Sequence, residues 1–225
     1  MDTISTQAVS FDVGGTLIQP WPSVGAVYAS VAADHGFSNL PTEQINDNFA
    51  NAWKDKREFH YSEPEWLSLV QQSLSGLVPE DESARFFPAI YRRFEEPDVW
   101  KIHDDVVPTL DDLAGRGFRL ALVSNWDTRL RPLLTHLKLL SFFETATISG
   151  ELGFTKPSPV LFEQTLKKLG LPASAVVHVG DSLAEDVDGA EAVGITAIMI
   201  QRQGQKAANS IENLNELSNL LVEAW

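Results

Sequence analysis

The sequence predicts an α/β fold: a parallel sheet with helices on both faces, interrupted early by an inserted all-helical block. Three observations predict it. Short apolar runs without a polar face alternate with helical patterns, as strands buried on both sides require. The stretch 23–96 carries helical periodicity and no convincing strand pattern. The polar residues Asp12, Ser124 and Asp181 sit at the carboxyl ends of three of the apolar runs, where open parallel sheets bind their ligands.

Residues 8–13 read as the first strand, delivering Asp12 to a turn at Gly14-Gly15. Residues 18–22, Ile-Gln-Pro-Trp-Pro, break the pattern, because two prolines discourage both strand and helix. Ser23 caps a helix with Val24, Val27, Tyr28 and Val31 on one face, ended by Gly36. Thr42 caps a second, with Ile45, Phe49, Ala52 and Trp53 along one side. Glu63-Pro64-Glu65-Trp66 opens a third, carrying Leu67, Leu69, Val70 and Leu74, and Pro79-Glu80-Asp81-Glu82 opens a fourth, running through Phe86, Ile90, Tyr91 and Phe94. Trp53, Trp66 and Trp100 fall on apolar faces and read as packing residues. After Pro97 the alternation resumes. Val106–Gly115 is helical with Pro108 in its first turn, 118–123 is a strand ending at Ser124, and Leu130–Leu137 is helical. Thr145–Ile148 is a strand, Pro159–Leu169 a helix stopped by Gly170, and 175–179 a strand ending at Gly180-Asp181. Ala184–Val193 is a helix stopped by Gly194, Thr196–Ile200 a strand, and 210–224 an amphipathic helix striped by Ile211, Leu214, Leu217 and Leu221. The core is therefore 1–18 plus 97–225, with 19–96 inserted after the first strand.

Composition narrows the function. A net charge of -14 and a pI near 4.7 argue against nucleic acid and anionic membrane surfaces as partners, and leave an anionic substrate dependent on a local cation or metal ion. The absence of cysteine excludes disulfides, thiolate metal sites and a cysteine nucleophile. Met1–Gln7 lacks a basic region followed by a hydrophobic stretch, and no apolar run reaches the length of a membrane span, so the expectation is a cytoplasmic protein.

The strand ends carry the chemistry. A carboxylate such as Asp12 can be a nucleophile, a metal ligand or a cap. Asp12, Asp181 and Asp186 can supply oxygens to a small hard cation such as magnesium. Gly14 and Gly15 let the backbone approach a ligand, Ser124 can donate to a phosphoryl oxygen, and Lys156 can balance the carboxylates and bind the same phosphoryl group. His178, alternating with valines, reads as a core histidine.

Four segments resemble the haloacid dehalogenase-like hydrolase superfamily in its motif order: Phe11-Asp12-Val13-Gly14-Gly15-Thr16-Leu17, Val123-Ser124-Asn125, Lys156-Pro157-Ser158-Pro159 and Gly180-Asp181-Ser182-Leu183-Ala184-Glu185-Asp186. The helical insert falls where members with a helical cap of the first type carry theirs. The resemblance implies a Rossmann-like catalytic core (1–18 and 97–225) with a helical cap (19–96). It implies a magnesium-dependent hydrolase of a small phosphorylated metabolite, in which Asp12 forms an aspartyl-phosphate. It places magnesium on Asp12, the carbonyl of Gly14, Asp181 and Asp186, the last as a direct or supporting ligand. Ser124, Asn125 and Lys156, with Gly15 and Thr16 in the turn, would surround the phosphoryl group.

One position departs from the pattern. The phosphatases carry a second aspartate two residues after the nucleophile, which protonates the leaving alcohol; here that residue is Gly14. Two alternatives follow: a catalytically impaired phosphate-binding or interaction protein, and a dehalogenase-type C–X hydrolase using Asp12. Dehalogenases use a cap arginine shortly after the first motif, and no arginine occurs between Asp12 and Arg57. Phosphonate-cleaving relatives need a cap lysine, and Lys54 and Lys56, the only two available, sit in the charged run Lys54-Asp55-Lys56-Arg57-Glu58, which reads as a solvated face. Asp127, His60 and Glu63 are candidates for a replacement acid.

Overall fold

The fold was analysed in a computed structural model, which describes residues 6–56, 59–202, 204 and 210–223. Residues 1–5 of the N-terminal stretch, Arg57 and Glu58 of the charged run, and Ala224 at the end of the last expected helix lie outside the described residues. The chain divides into two compact units, 1–18 with 102–225, and 19–101.

The first unit begins with strand β1 (Ala8–Phe11), two residues shorter than the apolar run suggests. Val13 closes the turn that follows, its carbonyl accepting from Leu17 N at 2.8 Å and Ile18 N at 3.1 Å. The proline-containing segment forms a short strand, β2 (Ile18–Pro20), where the sequence predicts only a break. Proline is tolerated there because this two-stranded ribbon has edges free of ladder demands.

The second unit is built from helices α1 (Val24–Asp34), α2 (Thr42–Asp55), α3 (Glu63–Ser73) and α4 (Glu80–Arg93). Ser23 caps α1 by accepting from Ala26 N at 3.1 Å. Thr42 is the first helical residue of α2, and Pro41, not Thr42, stands at the cap position. At α3 the Glu65 carboxylate accepts from the Ser62 backbone N–H and from its hydroxyl, at 2.9 and 2.6 Å. Gly25 is a close-approach residue: a Cβ there would overlap the Thr42 carbonyl, and Gly25 N donates to Asn46 Oδ1 at 2.7 Å. The apolar stripes meet in a core of Tyr28, Val31, Ile45, Val70, Phe86 and Ile90. Lys56 lies with its ammonium 4.1 Å from the ring centre of Trp53.

Strand β3 (Trp100–Ile102) pairs with β2, and Trp21 N donates to Val99 O at 2.7 Å. This pairing keeps 97–101 with the helices, so the second boundary falls at 101/102 and not at 96/97. The first unit then resumes with α5 (Val106–Gly115), β4 (Arg119–Ser124), α6 (Leu130–His136), β5 (Thr145–Ile148), the single turn α7 (Ser149–Leu152) and α8 (Pro159–Leu169). β6 (Val176–Gly180), α9 (Asp188–Glu191), β7 (Thr196–Ile200), β8 (Ser210–Ile211) and α10 (Asn215–Glu223) complete it.

Six parallel strands form one sheet in the order β5-β4-β1-β6-β7-β8. From central β1 the chain steps to one side for β4 and β5, then returns to the other for β6, β7 and β8, so β1 marks the switch point. Ala8, Ala121, Val123 and Val176 pack against Leu161, Phe162 and Ala190 from α8 and α9. The alternate residues Val9, Phe11, Leu120, Leu122, Val177 and Val179 are equally buried, so both faces are covered.

Two elements differ from their sequence patterns. The helix expected over 184–193 begins as a widened π-type turn over Leu183–Val187, because Ser182 O accepts from both Asp186 N (2.9 Å) and Val187 N (3.2 Å). The helix expected over 210–224 starts only at Asn215. Ser210 and Ile211 instead extend the sheet, which buries Ile211 through a strand, and Leu214 is buried ahead of the helix. Among the described residues no helix is long and apolar enough to cross a membrane.

Candidate active site

Three parallel strands aim their last residues at one place. The β1/β6 ladder continues one step beyond β1, with Asp12 N donating to Val179 O at 2.9 Å, which fixes Asp12 at the sheet edge. β4 ends in Ser124-Asn125, and β6 leads into Asp181. The turn after Asp12 is closed by Gly15 N donating to Ile18 O at 2.8 Å. Gly15 has φ +79°, and a Cβ on it would run into the Asp181 carboxylate, so this position needs glycine twice over.

Lys156 lies at the centre, 3% exposed. Its ammonium donates to Asp12 Oδ1 at 2.6 Å, Asp186 Oδ1 at 2.5 Å and Val123 O at 3.1 Å. Three acceptors use all three of its hydrogens. In this structure the ammonium therefore holds Asp12 and Asp186 and has no hydrogen left for a phosphoryl group. Asn125 is equally committed. Its Nδ2 donates to Lys156 O (3.1 Å) and Glu185 Oε2 (2.9 Å), and its Oδ1 accepts from Lys156 N (2.6 Å). Its side chain clamps the lysine loop, where the sequence expectation was a ligand contact. Ser124 Oγ stands 3.5 Å from Asp12 Oδ1.

Asp186 is brought inward by the π-type turn. Beyond Lys156, its Oδ1 lies 3.2 Å from His178 Nε2, and its Oδ2 accepts from Ser182 N at 3.0 Å. The other ring nitrogen of His178 lies 2.9 Å from Ser10 Oγ. The histidine read as a plain core residue thus steadies the site from inside the sheet. Thr16 is fully buried, and among the described residues its hydroxyl has no hydrogen-bond partner. Its carbonyl accepts from Arg202 Nε (2.9 Å) and Nη2 (2.7 Å). Arg202 also pairs with buried Asp105 at 3.0 Å, and Asp105 accepts from Leu214 N at 2.6 Å. Arg202, and the contact of Glu185 with Asn125, escaped the sequence reading, since no local pattern links residues so far apart in the chain.

The charges are strongly coupled. Burial raises the Asp12 carboxyl, the Lys156 ammonium opposes this and Asp186 adds to it, leaving Asp12 at about 6. Burial would raise Asp186 too, but Lys156 and His178 outweigh it and hold it below the usual carboxylate range. Burial would pull Lys156 down, and the two aspartates more than reverse that, so it stays protonated. Asp181, exposed at the rim of the cluster, is pushed up to about 8 by desolvation of its carboxyl and by the charges of Asp12 and Asp186, with the Lys156 ammonium opposing them.

Asp12, Asp181 and Asp186 each present an oxygen, all within 4.8 Å of one another. Hard divalent cations take such oxygen clusters, and one lysine against three carboxylates leaves negative charge for a cation to offset. The donor set therefore fits a divalent metal ion. Asp127, a candidate acid, accepts from Arg129 Nε at 2.9 Å and Nη2 at 2.6 Å, so both its oxygens are held by a guanidinium. His60 N donates to Glu65 Oε1 at 2.9 Å in the helical unit, and His60 and Glu63 are both exposed there.

Comparison with known proteins agrees with this geometry. The family model described as "Hydrolase: haloacid dehalogenase-like hydrolase" matches residues 6–194. Haloacid dehalogenase-like hydrolase domain-containing protein 3 of Danio rerio is 30% identical over 210 residues, covering 88% of this chain and 86% of its own length. The structure of a HAD phosphatase from Thermococcus onnurineus is similar at a TM-score of 0.69 and 27% identity, over 96% of this chain and 98% of its own. A 2-haloacid dehalogenase structure from Pseudomonas syringae is similar at 0.68 and 25%, over 98% and 100%. The chain belongs to the haloacid dehalogenase-like hydrolases.

Proposed function

We propose that the chain hydrolyses a small phosphorylated metabolite, with Asp12 as nucleophile, and that the helical unit 19–101 is its cap. The observation that carries this reading is the convergence of Asp12, Asp181 and Asp186 around Lys156. A free Asp12 Oδ attacks phosphorus, the P–O bond to the alcohol breaks, and the leaving oxygen departs with the electron pair. Water then attacks the phosphorus of the aspartyl-phosphate, releasing phosphate and restoring the carboxylate. Lys156 fixes the orientation of Asp12 and keeps it charged, Asn125 fixes Lys156, and Ser124 is left as the side-chain donor toward the phosphoryl oxygens. Asp12 and Asp181, with the Gly14 carbonyl, would hold magnesium, and Asp186, already accepting from three groups, would steady them. When bound, that ion neutralises charge on the transferring phosphoryl group. The likeness to a phosphatase structure supports the same reading.

The test is turnover of p-nitrophenyl phosphate with magnesium by the parent and by Asp12→Asn. Loss of about 10³-fold or more in the variant is expected, and equal turnover by both would sink the reading. A second reading, C–X hydrolysis by the same aspartate, is favoured by the likeness to a dehalogenase. Halide release from a 2-haloacid without metal, with no phosphatase activity, would establish it instead.

A further inference from the structure

Gly14 and Gly15 are adjacent glycines with different reasons to be glycine. Gly15 has a left-handed backbone, whereas Gly14 does not, so any L-residue could adopt the Gly14 conformation. The obstacle at Gly14 is a side chain from elsewhere. A Cβ on Gly14 would stand 3.2 Å from Cζ3 of Trp126 and 4.0 Å from its Cε3. The backbone that carries that ring is pinned. Trp126 N donates to Ser149 Oγ and Trp126 O accepts from it, both at 2.9 Å, and Gly150 N donates to the same carbonyl at 2.8 Å. Gly150 is itself required, since a Cβ there would lie 2.8 Å from Asp127 Cα and 2.9 Å from Trp126 O. The loop after β4 therefore has little room to withdraw the indole.

We infer that Trp126 is a specificity-determining residue: its ring edge crowds the first atom of any side chain at position 14 and sets an apolar ring beside the nucleophile turn. The functional half of this rests on the phosphatase reading above; the steric half does not. With glycine at 14, and an indole edge crowding the first atom of any side chain placed there, position 14 supplies no proton to the departing oxygen. On this reading the leaving group carries off the P–O electron pair as an oxyanion and takes its proton from water, unaided by position 14. Esters of acidic alcohols are then hydrolysed much faster than esters of ordinary alcohols.

Two measurements on the full chain with magnesium decide this. The first is a thermal-unfolding cycle of Gly14→Ala, Trp126→Leu and the double variant. Gly14→Ala is expected to lower Tm by about 2–8 °C in the parent, and by much less in the Trp126→Leu background. The same shift in both backgrounds, or no shift in the parent, overturns the steric claim whether or not the protein is active. The second is the ratio of kcat/KM for p-nitrophenyl phosphate to that for glycerol 2-phosphate. The ratio is expected to be large in the parent and in Gly14→Asp. It is expected to fall by about tenfold or more in Gly14→Asp/Trp126→Leu, where an acid has both its carboxyl and its space. Equal rates on the two esters in the parent, or a fall in Gly14→Asp alone, overturns the specificity claim. Absence of phosphatase activity in every variant overturns it too, together with the proposed function, and the thermal cycle still decides the packing.

Discussion

Lys156 concentrates the residue-scale argument. It is buried between two carboxylates and a carbonyl, with all its donors used. Removing one member of a buried ion cluster is expensive because the remaining charges lose their partner. Lys156→Met is therefore expected to lower stability by about 3–5 kcal/mol in a urea titration and to reduce turnover by about 10²-fold or more. A variant as stable and active as the parent would remove Lys156 from the account. Asp12, Asp181 and Asp186 were legible in the sequence because each ends or follows a strand on the same sheet edge, and Lys156 because it lies in a loop before a helix on that side. The full commitment of Lys156 and Asn125 was not legible, because donor saturation depends on which groups the fold sets within 3 Å. Gly14 shows the same limit. Its lack of a side chain is plain in the sequence, but the ring that crowds it comes from residue 126.

Among the elements, the turn between Asp12 and Ile18 is held from outside by a chain of three others. Arg202, just beyond β7, donates twice to the Thr16 carbonyl and pairs with Asp105 at the start of α5, and Asp105 accepts from Leu214 ahead of α10. Arg202→Ala leaves a buried carboxylate without its cation and a carbonyl without its donor. The expected result is a loss of about 3 kcal/mol in chemical unfolding, with lower turnover because the nucleophile turn loosens. An unchanged unfolding midpoint would show that the clamp carries no weight. The strand–helix alternation was readable wherever apolar runs were long, as in β4 and β6. It failed at β8, where two residues are too few to show a period and Ile211 and Leu214 matched a helical stripe by coincidence. It failed again at Leu183–Val187, where a doubly accepting Ser182 carbonyl widens the turn and delivers Asp186 inward.

For the molecule as a whole, charge is the governing fact. The chain carries -14 overall, and its candidate site gathers three carboxylates. A divalent ion bound there stabilises the folded state by mass action, by about 2.7 kcal/mol at a hundredfold excess over Kd. Magnesium is expected to raise Tm in the parent and less so in Asp181→Asn, and chelation is expected to abolish phosphatase activity until magnesium is restored. A parent Tm indifferent to magnesium, with activity surviving chelation, would contradict the metal assignment. The helical block was visible at this scale because seventy-odd residues of one periodicity interrupt another. Its boundary was misplaced by the ribbon of β2 and β3, whose strands of three residues leave almost no pattern.

The most direct test of the central claim follows the phosphoryl group itself. The parent and Asp12→Asn are mixed with an aryl phosphate labelled at phosphorus, quenched in acid during the first turnover and mapped by peptide. The account predicts label on the peptide bearing Asp12 in the parent and none in the variant. Label on another residue, or phosphate release by Asp12→Asn at the parent rate, would contradict it.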